Sequence, residues 1–173
     1  MYRRSEQIEL DRLNELKKYE MTDGFVHVGL ERIVAIAKHT FRVPIALVSL
    51  VEAERQFFPA RRGLEVSETP RASSFCAHAL MSRSVLIVPD SRSDPRFAEN
   101  PLVTDAPHIR FYAGCPLVSP SGYVLGTLCV IDTVPRSGMD ADDQRVLRDL
   151  AALVEDQLEL RRATREVKKA PPV

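Results

Sequence analysis

Apolar residues recur at helical spacing near both ends of the chain. Residues 5–19 and 23–39 carry apolar positions three or four residues apart, which is typical of amphipathic helices, and Asp23 is the expected N-cap of the second. Residues 141–167 continue this spacing for longer than either. The pattern predicts two helices early in the chain and one long helix at its end.

The middle of the chain carries the patterns of β-strands. The apolar, β-branched run from Ile45 to Val51 predicts a buried strand, with a hairpin partner at residues 56–63. The clearest hairpin joins residues 110–118 to residues 123–132 through a turn from Ser119 to Gly122. The pattern therefore predicts two hairpins.

Shorter elements lie between these two hairpins. Residues 73–81 predict a short helix and residues 85–88 a short strand. Residues 89–107 contain four prolines, and this composition predicts a long loop with single helical turns at most, which we call the excursion. Because helices and strands do not alternate as βαβ units, and hairpins favour antiparallel pairing, the predicted class is α+β with a central antiparallel sheet of five or six strands.

Composition narrows the class of protein. A chain of 173 residues with 45% apolar and 28% charged residues is expected to form one globular domain. Lys plus Arg equals Asp plus Glu, so no nucleic-acid partner is expected, and no apolar run reaches the roughly 20 residues that cross a bilayer. Three cysteines without CxxC spacing argue against a disulfide framework. We expect a cytoplasmic protein with no membrane partner.

Several segments together resemble one known family. In chain order they are VPIALVSLVEAERQFF, ETPRASSFCAHAL, VPDSRSDPRFAENPLV, IRFYAGCPLVSPSGYVLGTLCVID and the closing helix. They are similar to GAF domains, in particular those at the N-terminus of bacterial sensor histidine kinases and diguanylate cyclases, over residues 9–160. The resemblance implies that terminal helices pack on one face of the sheet and a ligand pocket lies on the other.

The resemblance also implies domain boundaries and a role. Residues 1–168 form a single domain with its core at about 20–160, a signalling helix at 141–167 and a disordered tail at 169–173. The implied role is sensory or regulatory in bacterial signal transduction and not enzymatic, with an unidentified small ligand. A downstream kinase or cyclase module is a further implied partner.

Two ligand types of the family are disfavoured by particular residues. The Asn-Lys-Phe-Asp-Glu signature of cyclic-nucleotide-binding members is absent. Cys76 precedes Ala77 and His78, but its surroundings differ from those of a bilin-attachment cysteine. Neither cyclic nucleotide nor bilin nor haem is expected, and the cofactor stays unassigned.

A candidate ligand pocket can be drawn from the aromatic and charged residues. It comprises Phe75, Asp94, Arg96, Phe97, Arg110 and Tyr112. Arg96 has two interpretations: it presents its guanidinium to an anionic ligand, or it pairs with aspartate and pins the loop, with Phe97 in the core. Strand alternation puts Arg110 and Tyr112 on one face, which suits either a pocket wall or a polar strand side. No metal site is expected, because Asp90 and Asp94 lack further ligands at usable spacing.

The cysteines support a rival enzymatic hypothesis. A branch of GAF proteins reduces free methionine sulfoxide with cysteine nucleophiles, and such chemistry needs two thiols close together. A two-residue loop in the second hairpin places Cys115 opposite Leu128, whereas a three-residue loop places it opposite Cys129. The contexts of the three cysteines do not match that branch. A ligand-free interaction module is the other alternative.

The closing helix carries apolar residues that alternate at steps of four and three. This seam includes Val146, Leu150, Leu153 and Leu160, with Gln157 and Thr164 as polar members. It predicts a parallel homodimer through the terminal helices. The alternative is a wide apolar face buried within the domain itself.

Overall fold

The computed structural model describes residues 2–21 and 27–169. Within them the chain forms helices, strands and one 3₁₀ turn at Arg71–Ser73. The α-helices are α1 (Tyr2–Lys17), α2 (Val28–Thr40), α3 (Phe75–Ala79), α4 (Pro101–Thr104) and α5 (Ala141–Lys169). The strands are β1 (Ile45–Val51), β2 (Arg55–Arg62), β3 (Glu68–Pro70), β4 (Leu86–Val88), β5 (Phe111–Val118) and β6 (Val124–Asp132).

The strands form one antiparallel sheet in the order β3-β2-β1-β6-β5-β4. This confirms the predicted α+β class and a central sheet of six strands. The three-residue strand β3, which no pattern predicted, pairs with β2 so that Glu68 lies opposite Phe57. Between β5 and β6, Cys115 lies opposite Leu128 and Gly114 opposite Cys129. Cys115 and Cys129 therefore face opposite sides of the sheet.

The sheet separates two hydrophobic cores. On the helical face, side chains of β1, β5 and β6 pack against the long helices, with Leu16 of α1, Val34 of α2 and Leu147 of α5 buried in one cluster. On the other face a second cluster joins Phe75, Phe97 and further buried residues to the alternate positions of the same strands. The terminal helices thus pack on one face, as the resemblance implied.

Element boundaries differ from the predicted ones at several ends. The helix predicted at 73–81 is shortened to α3, because the Ser74 hydroxyl accepts a hydrogen bond from Ala77 N at 2.9 Å and fixes its start. In the excursion, α4 is the single helical turn expected there. The Asp23 N-cap lies outside the described residues. Of the tail predicted at 169–173, Lys169 is the last residue of α5, and the remainder lies outside the described residues.

Helix α1 is tied to the sheet by a buried arginine. Arg12 is 4% exposed, donates to the carbonyl of Val51 at 2.8 Å and pairs with Glu9. Arg71 reaches the same carboxylate at 2.5 Å from the edge of β3. The hydrogen bond from Arg12 lowers the pKa of Glu9, burial opposes it and Arg71 reinforces it, giving a pKa of about 2.

A second set of contacts joins the end of α1 to α5. Tyr19 hydrogen-bonds Glu159, and Arg161 donates to the carbonyl of Glu20 at 3.0 Å. The two long helices are therefore held together as one layer. Within the part of the chain that the structure describes, no helix is both long and apolar enough to cross a membrane.

Candidate functional site

A cavity of about 330 Å³ lies on the face of the sheet opposite the terminal helices. Its walls come from the central strands, from α3 and from the segments before β3 and before β5. The lining residues from the strands are Ile45, Leu47, Gln56, Phe58, Thr69, Tyr112, Cys129 and Ile131. The other lining residues are Leu64, Glu65, Val66, Phe75, Cys76, Leu102, Ala106, Pro107 and Ile109.

The chemistry of this lining is almost entirely apolar. Polar groups are limited to the side chains of Gln56, Glu65, Thr69 and Tyr112, together with two thiols. Among the described residues that line the cavity, none is Lys, Arg or His. A negatively charged ligand would therefore meet no counter-charge on these walls, and the cavity suits an uncharged apolar molecule.

Hydrogen bonds already hold the polar wall of the cavity in place. The Ser49 and Ser74 hydroxyls donate to Gln56 Oε1 at 2.9 and 2.6 Å, and Gln56 Nε2 donates to Thr69 Oγ1 at 2.7 Å. Because both ends of the amide are engaged within the protein, Gln56 orients β3 against β2, and one amide N–H is used in doing so.

Aromatic rings build one wall of the cavity. Phe75 stacks on Phe97 with ring centroids 4.0 Å apart and an interplanar angle of 7°, and its centroid lies 5.2 Å from that of Tyr112. Phe75 and Tyr112 of the predicted pocket line this cavity. Phe97 is fully buried behind Phe75 and supports the wall without lining it.

The three charged residues of the predicted pocket lie elsewhere. Arg96 pairs with Asp94 at 2.6 Å, with the arginine side chain 45% exposed, and neither residue lines the cavity. This is the loop-pinning arrangement, since backbone N–H of Arg96 also donates to the Asp94 carboxylate at 3.0 Å. Arg110 donates to the carbonyl of Val103 at 2.9 Å and so holds α4 against the end of the excursion. Of the six residues of the predicted pocket, the three charged ones therefore do not line this cavity.

Two thiols and a phenol meet at the floor of the cavity. Tyr112 Oη donates to Cys76 Sγ at 3.3 Å and lies 3.5 Å from Thr127 Oγ1. Gly114 makes room for this phenol, since a Cβ there would lie 2.2 Å from Tyr112 Oη. Cys129, directly opposite Gly114 on β6, completes the group.

The two thiols have pKa values that are shifted in opposite directions. Burial raises the pKa of the Cys76 thiol, but hydrogen-bond donors around it outweigh burial and lower this pKa to about 6. The polar side chains that lower it are those of Cys129, Thr127, Tyr112 and Ser49, and of these Tyr112 donates directly to Cys76 Sγ. Burial and the neighbouring Cys76 raise the pKa of Cys129 well above its usual value. Cys115, on the other face, has a pKa raised by burial to about 11.

The predicted dimer seam is divided between core and surface. Leu150 is 7% exposed and packs in the helical-face core beside Leu147, so it is not available to a partner. Leu153 and Leu160 are 49% and 61% exposed, and Val146 is half-exposed. Of the four predicted seam residues, Leu150 therefore packs against the sheet, and the other three lie at the surface.

Comparison with known proteins agrees with this architecture. A family model described as GAF domain matches residues 26–158. The chain belongs to the GAF family. This GAF domain is 45% identical over 134 residues to a cyclic di-GMP phosphodiesterase of Pseudomonas aeruginosa. The match covers 78% of the chain but 23% of that protein, so the chain spans about a quarter of its relative.

Solved structures similar to this GAF domain show the same fold. A free methionine-R-sulfoxide reductase from Neisseria meningitidis has a TM-score of 0.64 at 20% identity, covering 91% of this chain and 87% of that one. The GAF domain of an Acinetobacter phosphoenolpyruvate-protein phosphotransferase has a TM-score of 0.63 at 17% identity, covering 91% and 97%. At these identities the likeness concerns the fold alone.

Several lining residues escaped the sequence interpretation. Gln56, Thr69 and Ile131 come together only once β1 lies between β2 and β6. Alternation along the apolar run that became β1 marks Ile45 and Leu47 as sharing a face. The sequence did not show that β6 lies on the other side of β1, so it did not show what this face of the strand contacts.

Proposed function

We propose that this GAF domain is a regulatory module whose cavity binds a small, uncharged and largely apolar ligand. The observation that carries the proposal is the cavity itself, about 330 Å³ in volume, apolar in lining and without a basic side chain among its described walls. An apolar cavity of about 150 Å³ is large enough for benzene. A ligand with two fused or linked rings matches the volume here.

The proposed signal passes through strands that contact both cores. Ile45 and Leu47 of β1 face the cavity, whereas Ala46 and Val48 belong to the helical-face core. A ligand that displaces β1 therefore changes the packing beneath α2 and α5. A second route runs from β3 at the cavity edge through Arg71 to Glu9 of α1.

The curated relative suggests what such a module regulates. That protein is a cyclic di-GMP phosphodiesterase, and this chain matches a quarter of it at 45% identity. We propose that the domain controls an attached or associated enzyme of cyclic-dinucleotide signalling, or a kinase, and has no catalytic activity of its own.

A pair of matched dyes tests the proposed ligand class. Phenylnaphthylamine is uncharged, and anilinonaphthalene sulfonate differs from it by one sulfonate. We expect the uncharged dye to bind at least about tenfold more tightly, a difference of about 1.4 kcal/mol, because no described wall residue neutralises the sulfonate. Fluorescence titration measures both affinities, and native mass spectrometry of the purified protein shows any co-purifying molecule.

Substitution locates the dye. Leu64→Trp fills the cavity mouth and is expected to weaken binding of the uncharged dye by about tenfold or more. Leu10→Trp, the same change at an exposed site on α1 that neither lines the cavity nor belongs to the seam, is the control and should leave affinity unchanged. Equal affinity in the two variants would show that the dye binds elsewhere and would contradict the proposed cavity function.

We also propose that the domain dimerises through the exposed part of the seam. Leu153 and Leu160 lie one heptad apart, and Ile36 of α2 is another exposed apolar residue on the helical layer. The double variant Leu153→Glu with Leu160→Glu places like charges at this surface and should halve the mass in light scattering without unfolding the domain.

A control for the dimer prediction comes from exposed apolar residues away from α5. Met81→Glu with Val134→Glu introduces the same charge at positions 92% and 60% exposed and should leave the mass unchanged. A monomeric mass for the unsubstituted protein across a wide concentration range would contradict the dimer.

A further inference from the structure

Two cysteines from distant parts of the chain meet on one wall of the cavity. Cys76 lies on α3 and Cys129 on β6, and both line the cavity although they are only 3% and 0% exposed to bulk solvent. Cys76 and Cys129 belong to the same buried cluster, and Tyr112 Oη donates to Cys76 Sγ from 3.3 Å. The proposed ligand function assigns no role to the thiol pair and the phenol of this cavity.

We propose that Cys76 and Cys129 are a redox modification site, which a hydroperoxide that enters the cavity converts to an intramolecular disulfide. The cavity supplies a path to two thiols that are otherwise shut off from solvent. Cys115 is excluded, because the register of β5 and β6 turns it to the helical face. The assignment is independent of the identity of any ligand.

The chemistry balances with hydrogen peroxide as the oxidant. The Cys76 thiolate attacks one peroxide oxygen, the O–O bond breaks and water leaves after protonation, so that Cys76 becomes a sulfenic acid. The Cys129 sulfur, losing its proton, then attacks Cys76 sulfur, the S–O bond breaks and a second water leaves. In sum, two thiols and one hydrogen peroxide give one disulfide and two waters.

The surroundings assign the order of these two steps. Tyr112 Oη donates to Cys76 Sγ at 3.3 Å and so stabilises a thiolate there, in keeping with the lowered pKa of Cys76, and this thiol is therefore the first to ionise and attack. The pKa of Cys129 is raised well above its usual value, so this thiol keeps its proton until the sulfenic acid forms beside it. Cys76 is the attacking thiol and Cys129 the resolving one.

The experiment treats the folded 173-residue chain with hydrogen peroxide, blocks the remaining thiols after denaturation and digests the protein with trypsin. Cys76 falls in the peptide 72–83, but Cys115 and Cys129 share the peptide 111–136. We therefore use Cys115→Ala, in which a link between these two peptides identifies the pair. We expect this cross-linked product, an intact mass lower by two hydrogens, and reversal by dithiothreitol.

The unsubstituted protein gives the second measurement. Its three free cysteines should fall to one on oxidation, and that one should be Cys115. Cys76→Ala should lose the change in mass altogether, whereas Cys129→Ala should instead gain oxygen at Cys76.

Four outcomes would overturn the assignment. In the unsubstituted protein, all thiols surviving peroxide or a disulfide between two chains would exclude an intramolecular site. If Cys76 only gains oxygen while Cys129 is present, the two sulfurs do not reach each other. If free methionine sulfoxide alone oxidises the pair, the thiols form a catalytic couple and not a modification site.

Discussion

Replacing Phe97 by alanine is expected to lower the free energy of unfolding by about 3–5 kcal/mol. The ring is 0% exposed and stacks on Phe75 at 4.0 Å, while the His78 ring meets its edge at 4.8 Å. Alanine would remove these contacts and leave an empty space behind the aromatic wall. Because the backbone around Phe97 is fixed by turns closed on Asp94 and Asn100, collapse into that space is limited.

Thermal and denaturant unfolding measure this loss. For a chain of this size each kcal/mol corresponds to about 2–4 °C, so the melting temperature should fall by about 6–20 °C. Met81→Ala, at a residue 92% exposed, is the control and should change stability by less than about 0.5 kcal/mol. Equal stability of the two variants would mean that Phe97 does not hold the excursion to the core.

Gly126→Ala is expected to destabilise the sheet by about 3 kcal/mol or more. Gly126 of β6 lies opposite Leu50 of β1, and a Cβ there would lie 1.8 Å from the backbone oxygen of Ser49 and 2.9 Å from Leu50 Cα. Both contacts are with backbone atoms of a central strand. Neither can move aside without breaking the β1–β6 ladder, so the requirement is for space and not for a special φ.

Gly29→Ala is the matched control for this substitution. A Cβ at Gly29 would meet Oε1 of Gln157 at 2.1 Å, but that atom ends a flexible side chain, and alanine favours the helix. We expect a change within about 0.5 kcal/mol for Gly29→Ala. Urea unfolding compares the two variants, and a Gly126→Ala protein as stable as the unsubstituted one would contradict the register of β1 and β6.

Local patterns predicted the elements and the class of fold, whereas long-range contacts decided the site. The run from Ile45 to Val51 and the second hairpin could be recognised, because alternation and turn residues act over a few positions. Strand β3 consists of Glu68, Thr69 and Pro70, which lack the apolar, β-branched run that marked the equally short β4. The cavity depends on which strands adjoin β1, and nothing within a short window of sequence encodes that order.

The charged residues and the hairpin register show a second limit of sequence reasoning. Asp94 and Arg96 are two residues apart and form an ion pair with each other. The charged pattern that suggested a ligand site therefore reflects a local contact within the loop. For Cys115, two loop lengths gave two opposite faces. In the structure Cys115 lies opposite Leu128, the pairing that the two-residue loop gave. The connection itself is longer than two residues, because the pairing shifts at a bulge between Leu117 and Val118.

The division of β1 between two cores has a consequence for how such a domain diversifies. Ile45, Leu47 and Val51 belong to the cavity-side core, while Ala46, Val48 and Leu50 belong to the core under the helices. Substitutions at Ile45, Leu47 or Val51 would thus alter the cavity-side core, while the intervening residues keep the packing beneath the helices intact. The two cores can therefore change independently of each other in evolution, because alternate residues of a single strand belong to different cores.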